Sequence, residues 1–265
     1  MEPLLITSVQ NPRVKQTARL RDNRQRAQQG RFLIDGVREV ERALAAGIEL
    51  AEVYVCRPLC DAATRSLVER IPPSVPRFEL TEPVFEKLAF GERAEGIVAV
   101  ALAPERNLER LALPEGALLG VLAGVEKPGN VGAVFRSADA AGLDALIVAD
   151  AGTDLWNPNC IRASLGTVFA VPAATAASEE ALSWLTERGL QIVAARVDAT
   201  VPYTEVDFRR PTAIVLGSEA HGLSAAWSAP AVTGVQLPMR GLADSLNVSA
   251  TAAVLFYEAL RQRAS

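Results

Sequence analysis

The chain has 265 residues, 49% of them hydrophobic and 22% charged, with 27 Lys+Arg against 31 Asp+Glu and a formal net charge of −4. That composition excludes a disordered or fibrous chain, and the length suits two domains or one large one. The chain has no run of about 18 uncharged apolar residues, its opening MEPLLITSVQNPRVK lacks the order of a signal peptide, and Cys56, Cys60, Cys160 and the single His221 form neither a disulfide framework nor a zinc set, so a cytoplasmic protein without membrane or metal is expected.

Residues 1-31 hold Arg13, Lys15, Arg19, Arg21, Arg24, Arg26 and Arg31 against only Glu2 and Asp22. Two readings stand: an arm that grips a polyanion through forked Arg–phosphate bonds, or a solvated amphipathic helix. Next, FLI at 32-34 reads as a strand. VREVERALAAG follows as a helix whose Val37, Val40, Ala43 and Leu44 share a face, with Gly47 at its end. LAEVYVC and GIVAVAL read as strands, with DAATRSLVER and EPVFEKLAF as helices between them, which makes a small α/β domain over 1-103. APERNLERLALPEG, bounded by Pro104 and Pro114, reads as a linker over 104-116.

From 117 to 265 the strands are stronger: ALLGVLAGV, DALIVAD, LQIVAARV, TAIVLG and GVQLPM, with helical segments between them and VPAATAAS as a loop. Near-continuous apolar strands alternating with helices predict a buried, mainly parallel sheet, with its ligand beyond the strands' carboxyl ends. Three loops there concentrate glycine and polar residues. In VEKPGNVGAVFR, Asn130 reads as a helix cap, and Arg136, six residues on, falls about 240° away round a helix, so the two do not share a face. Cap plus surface Arg, or functional pair, both remain open. In TAIVLGSEAHGLS, Gly217 and Gly222 bracket Glu219 and His221. A carboxylate at a strand end is expensive unless it binds something, but a tight turn reads equally well, and His221 reads more readily as solvated than as a base. In VQLPMRGLADSLNVSATAAVLFYEALRQR, Ser245 or Asn247 opens a long helix with Val248, Ala252, Leu255, Phe256 and Leu260 on its apolar face, and its small-residue run 249-253 suits close packing.

Together PGNVGAVFRSADAAG, IVLGSEAHGLS and LPMRGLADSLNVSATAAVLFYEALRQR resemble the SpoU/TrmH branch of the SPOUT RNA methyltransferases, in order and near its spacing. The segment from ITSVQNPRVK to VREVERAL resembles the small substrate-binding domain of its rRNA-directed members, so the likeness spans essentially the whole chain. The resemblance implies an α/β fold with an N-terminal RNA-binding domain and a C-terminal parallel-sheet SPOUT domain closed by a deep trefoil knot, working as a homodimer through the C-terminal domain. It implies S-adenosylmethionine as cofactor and the 2′-hydroxyl of a ribose in RNA as acceptor, most naturally in large-subunit rRNA, with tRNA or a catalytically silent RNA-binding protein as the alternatives. Carried onto this chain, it gives Arg136, Asn130, Glu219, Ser245 and Asn247 catalytic roles. The cofactor falls to Leu216, Gly217, Leu237, Met239, Leu246 and Asn247, and RNA binding to the seven basic residues of the arm. A resting guanidinium is a poor base, so Arg136 is expected to hold a phosphate or stabilise the developing alkoxide while substrate phosphate or solvent takes the proton.

Overall fold

The computed structural model describes residues 4-90, 95-219 and 221-264. Its backbone clusters into two units: Met1–Pro104 with Asp154–Ala170, and Glu105–Thr153 with Val171–Ser265. The segment 154-170, which the sequence reading placed in the second domain, thus clusters with the first.

Unit 1 contains β1 (Leu4–Ile6), α1 (Pro12–Ala18), α2 (Asn23–Gln29), β2 (Arg31–Asp35), α3 (Val37–Ala45), β3 (Leu50–Val55), α4 (Ala62–Arg70), β4 (Arg77–Leu80), α5 (Glu82–Leu88) and β5 (Ile97–Leu102). The strands form one sheet in the order β1-β4-β3-β5-β2, parallel where β4 meets β1 and β3 and antiparallel at β5. The sequence reading lacks β1 and β4 because LLI and RFEL are too short to show a period. The arm is built from local caps: Asn11 accepts from the Arg13 amide at 2.9 Å and opens α1, Asp22 accepts from the Gln25 amide at 3.1 Å and opens α2, and Gly30 ends α2 at φ 60°.

Unit 2 contains β6 (Leu118–Ala123), α6 (Pro128–Ala141) and β7 (Ala145–Ala149); the chain then returns to unit 1 for α7 (Pro158–Ala163) and α8 (Thr167–Ala170). Unit 2 resumes with β8 (Ala173–Ala176), α9 (Ser178–Glu187), β9 (Gln191–Ala195), β10 (Val201–Pro202), β11 (Thr212–Gly217), β12 (Val232–Gln236) and α10 (Val248–Arg263). Its seven strands are all parallel, in the order β10-β12-β9-β11-β6-β7-β8. One expectation is corrected here: part of VPAATAAS is not a loop but strand β8, in register with β7. Alanine is depleted in strands as a rule, and the pairing partner overrides that preference. Residues 104-116 also do more than link, since Leu108 and Leu111 are buried in the core and the Arg106 carbonyl accepts from the Thr175 amide at 2.8 Å.

Two helices set the site. Pro128 stands in the first turn of α6, Gly142 ends the helix at φ 70°, and Val131, Val134, Phe135 and Ala138 make its buried stripe. α10 packs on α6 and on β11. Its inner face is Val248, Ala252, Leu255, Phe256 and Ala259; Leu260, expected on that face, is 37% exposed and points outward. Phe256 reaches the sheet because β6 has glycine at 120, where an added Cβ would come within 2.9 Å of the ring's Cζ. No helix among the described residues is long and apolar enough to cross a membrane.

Candidate active site

β6 and β11 are neighbours paired in register from Thr212↔Leu118 to Gly217↔Ala123, so the loops that follow them emerge side by side. The loop after β12 leads into α10, which packs on α6 and β11. Parallel topology thereby brings three segments distant in sequence to one end of the sheet.

Glu219 is where they meet. Its Oε1 accepts from Asn130 Nδ2 at 3.0 Å, from Asn247 Nδ2 and from the Val248 amide at 3.4 Å. Its Oε2 pairs with Lys127 Nζ at 2.9 Å. Asn247 Nδ2 also donates to Asn130 Oδ1 at 3.3 Å. Lys127 before all, with the Val248 amide and Asn130, holds the Glu219 carboxyl below the usual carboxylate range against a smaller desolvation. The cost of a carboxylate at the strand end is therefore met by four donors.

Asn247 is the N-cap of α10, accepting from the Ser249 amide at 2.9 Å and from Ser249 Oγ at 2.6 Å. Asn130 corrects its expected place: Lys127 is the N-cap of α6, and Asn130 lies inside the first turn, where its side chain is free to reach Glu219. Arg136 is two turns further along α6, exposed, with no hydrogen bond or ion pair among the described residues. Among the described residues Ser245 donates only to Asp244, at 3.4 Å. The structure therefore joins Asn130, Glu219 and Asn247 and leaves Arg136 and Ser245 outside that network. Sequence reasoning missed Lys127. The available signal was a lysine at a helix N-cap, which helices do not favour.

Beside the network a cleft of about 640 Å³ opens at the carboxyl ends of β9, β11 and β12. Leu216, Gly217, Leu237, Met239 and Leu246 all line it, as do Glu219 and Ser245; Asn247 does not. The loop 218-222 closes on itself through Ser218 N to Gly222 O at 3.1 Å and Gly222 N to Ser218 O at 2.9 Å, with Gly222 at φ 66°. Gly217 has no room for a side chain, because a Cβ there would lie 2.6 Å from the Gly222 carbonyl carbon. Arg196 is bound to Asp198 by two bonds of 2.9 Å and Glu219 is paired with Lys127, so Asp244 is the lining carboxylate without an ionic partner among the described residues. His221 is exposed on the rim, its amide donating to Ser218 Oγ at 3.3 Å. Among the described residues no group of three or more His, Cys, Asp or Glu is arranged to hold a metal ion.

The basic arm is less uniform than its composition. Arg26, expected to bind RNA, is 3% exposed: it pairs with Asp154 at 2.5 and 3.1 Å and donates to the carbonyls of Leu20 and Arg21 at 2.9 and 2.8 Å. It pins the arm from inside, a correction to that expectation, because only an ion pair with further hydrogen bonds makes such burial tolerable. Arg13 and Arg31 flank Glu52, Arg13 also lies 4.3 Å over the Phe78 ring, and Arg21 donates to the Ala89 carbonyl. Lys15, Arg19 and Arg24 are exposed without an ionic partner among the described residues.

Residues 117–257 match the SpoU rRNA Methylase family and residues 11–99 the MRM3-like substrate binding domain. The chain is 34% identical to the 23S rRNA (uridine(2479)-2'-O)-methyltransferase of Streptomyces viridochromogenes, over 98% of this chain and 93% of that protein. It is 30% identical to the 23S rRNA (guanosine(2553)-2'-O)-methyltransferase RlmP of Bacillus subtilis, over 95% and 97%. The crystal structure of the SpoU methyltransferase AviRb from Streptomyces viridochromogenes in complex with AdoMet superposes with a TM-score of 0.90 at 30% identity, covering 97% of this chain and 99% of that one.

Proposed function

The chain belongs to the SpoU rRNA methylase family, and from that membership we propose that it methylates a ribose 2′-hydroxyl in large-subunit rRNA with S-adenosylmethionine. The observation that carries this reading is the Asn130–Glu219–Asn247 network set beside the glycine-walled cleft. The relatives act on a uridine and a guanosine, so the shared site is read as handling ribose, with the base chosen elsewhere.

The cleft suits the cofactor. Its volume is within the roughly 300–1,000 Å³ of small-molecule sites, apolar side chains wall it, and Asp244 on its wall favours a cation. Leu216, Gly217, Leu237, Met239 and Leu246 hold the cofactor, with Asn247 behind them fixing the start of α10. When bound, S-adenosylmethionine supplies an electrophilic methyl group on a sulfonium. Glu219, Asn130 and Asn247 fix the loop ends that shape the acceptor side, and Ser245 lines the cleft. Arg136, the exposed cation of α6, holds the target phosphate or the developing alkoxide through its planar fork, while substrate phosphate or solvent takes the proton. Transfer of tritium from labelled S-adenosylmethionine to rRNA tests this, and absence of transfer to rRNA from cells lacking the gene sinks it.

Unit 1 is read as the RNA-binding unit and unit 2 as the methyltransferase, working in the cytoplasm where rRNA is assembled. The trefoil knot belongs to the same reading: β12 lies two strands from β11, and the chain then returns past their ends to α10. Lys15, Arg19 and Arg24 are the arm's phosphate contacts. Their joint reversal to Glu should weaken RNA binding by at least about 10²-fold at low salt, reduce its salt dependence and leave cofactor affinity intact. Filter binding across a salt series checks this.

α10 is read as the dimer element. It presents Val254 (37% exposed), Tyr257 (50%) and Leu260 (37%) outward, with Ala250 one turn before Val254. Light scattering should give twice the chain mass, and Val254→Asp with Tyr257→Asp should halve it and abolish transfer. An active monomer would refute the dimer reading.

A further inference from the structure

We propose that Lys127 is a positioning residue for methyl transfer: its ion pair with Oε2 of Glu219 locks the carboxylate that ties the first turn of α6 to the start of α10 through the loop after β11. The inference rests on the functional reading of this site. It starts from a local misfit. Lys127 is the N-cap of α6, yet its side chain makes no capping bond and brings positive charge to the end of a helix that already carries partial positive charge. Ser, Thr, Asp or Asn would serve the helix better. Pro128 adds a constraint, since a residue before proline is held in extended backbone, and Lys127 sits there at φ −78°, ψ 115°.

Stability does not account for this choice. The Lys127 side chain is 75% exposed, and ion pairs of that kind contribute little to folding. Its partner is another matter. Oε1 of Glu219 collects Asn130, Asn247 and the Val248 amide, while among the described residues Oε2 has only Lys127. A carboxylate held at one oxygen can still swing about its last bond; held at both, it cannot. Lys127 thus fixes the plane of the carboxylate, and through it the directions of Asn130 and the first turn of α10. A sequence that accepts a poor cap to hold a functional group departs from local consistency where such departures are expected.

Lys127 comes to Glu219 from the N-cap of α6, and among the described residues Arg196, Asp198, His221 and Asp244 share the cleft lining with it. Only Lys127 is in ion-pair range among the described residues. Lys127 is also the largest cause of the lowered Glu219 titration, so its removal lets that carboxyl rise toward its ordinary range. As pH falls, activity in the variant should then fail at a higher pH than in the wild type.

The test is Lys127→Ser beside Lys127→Arg in the full-length protein. Lys127→Ser supplies a good cap, so its Tm should be equal or higher, while turnover on rRNA falls about tenfold with the KM for S-adenosylmethionine nearly unchanged. Lys127→Arg should restore most of the turnover and the acid limb of the pH profile. In the free protein, NMR of 13C-labelled glutamate should show Glu219 titrating at a higher pH in Lys127→Ser. Unchanged turnover and titration in Lys127→Ser, or a Tm that falls together with turnover, would overturn the proposal. An inactive wild type whose Glu219 still responds to Lys127 would instead remove the functional reading and leave the locking pair standing.

Discussion

Arg136→Ala should lose about 10²–10³-fold or more in methyl transfer to rRNA, the size of effect seen when a preorganised donor to developing negative charge is removed. The cofactor should still bind with nearly wild-type affinity, because Arg136 stands on the third turn of α6 and does not line the cleft. The fold should be untouched as well, since the guanidinium is exposed and holds no partner among the described residues. Arg136→Lys is the sharper comparison. It keeps the charge but replaces a planar two-pronged donor by a point charge, so it too should be nearly inactive if geometry is what matters. Single-turnover transfer from labelled cofactor, with calorimetry of cofactor binding alongside, separates the two effects. Wild-type turnover in Arg136→Ala on a verified rRNA substrate would move the catalytic role to Glu219, Ser245 or Asn247.

Gly217→Ala should weaken cofactor binding by roughly 5- to 150-fold, the equivalent of about 1–3 kcal/mol of overpacking. The added Cβ would meet only backbone: the Gly222 carbonyl carbon at 2.6 Å, its oxygen at 2.7 Å and the Leu223 nitrogen at 2.9 Å. No side chain can rotate away there, so the end of β11 or the 218-222 loop must shift, and both wall the cleft. Gly129→Ala is the matched control. It lies in the first turn of α6 with nothing within 4 Å of the new Cβ, and should leave cofactor affinity as it was. Calorimetry on both variants decides; equal affinities would mean that the close approach at Gly217 does not shape the cleft.

The candidate site residues are legible because each sits in a short motif with strong local chemistry: glycines where backbone meets backbone, Asn247 at a helix start, Glu219 at a strand end. What joins them is not. Asn130 and Glu219 are 89 positions apart, and their contact follows from β6 and β11 being neighbours, which periodicity cannot show. A cap is the role that local sequence offers Asn130, whereas its partner Glu219 lies on another strand's loop. β8 is hidden in the sequence because AATA reads like a loop until β7 is laid beside it. Arg26 illustrates the reverse error. Nothing in its sequence neighbourhood sets it apart from the exposed Lys15, Arg19 and Arg24, and its ion pair with Asp154, far along the chain, makes it an interior residue.

The return of the chain to unit 1 at Asp154–Ala170 bears on how this protein can be dissected. A fragment cut after residue 104 keeps the whole seven-stranded sheet but carries 154-170 away from the residues it packs on. Trp156 and Phe169, which stack on Phe32 at 4.7 and 6.1 Å, would be turned out into water with Ile161 and Val168, and Arg26 of the other piece would lose its carboxylate. Both halves would then expose adhesive apolar surface. A clean separation needs residues 154-170 replaced by a short polar bridge, or supplied in trans to the N-terminal piece, and gene fusions that exchange substrate-binding modules between such enzymes must carry that insert along with residues 1-104.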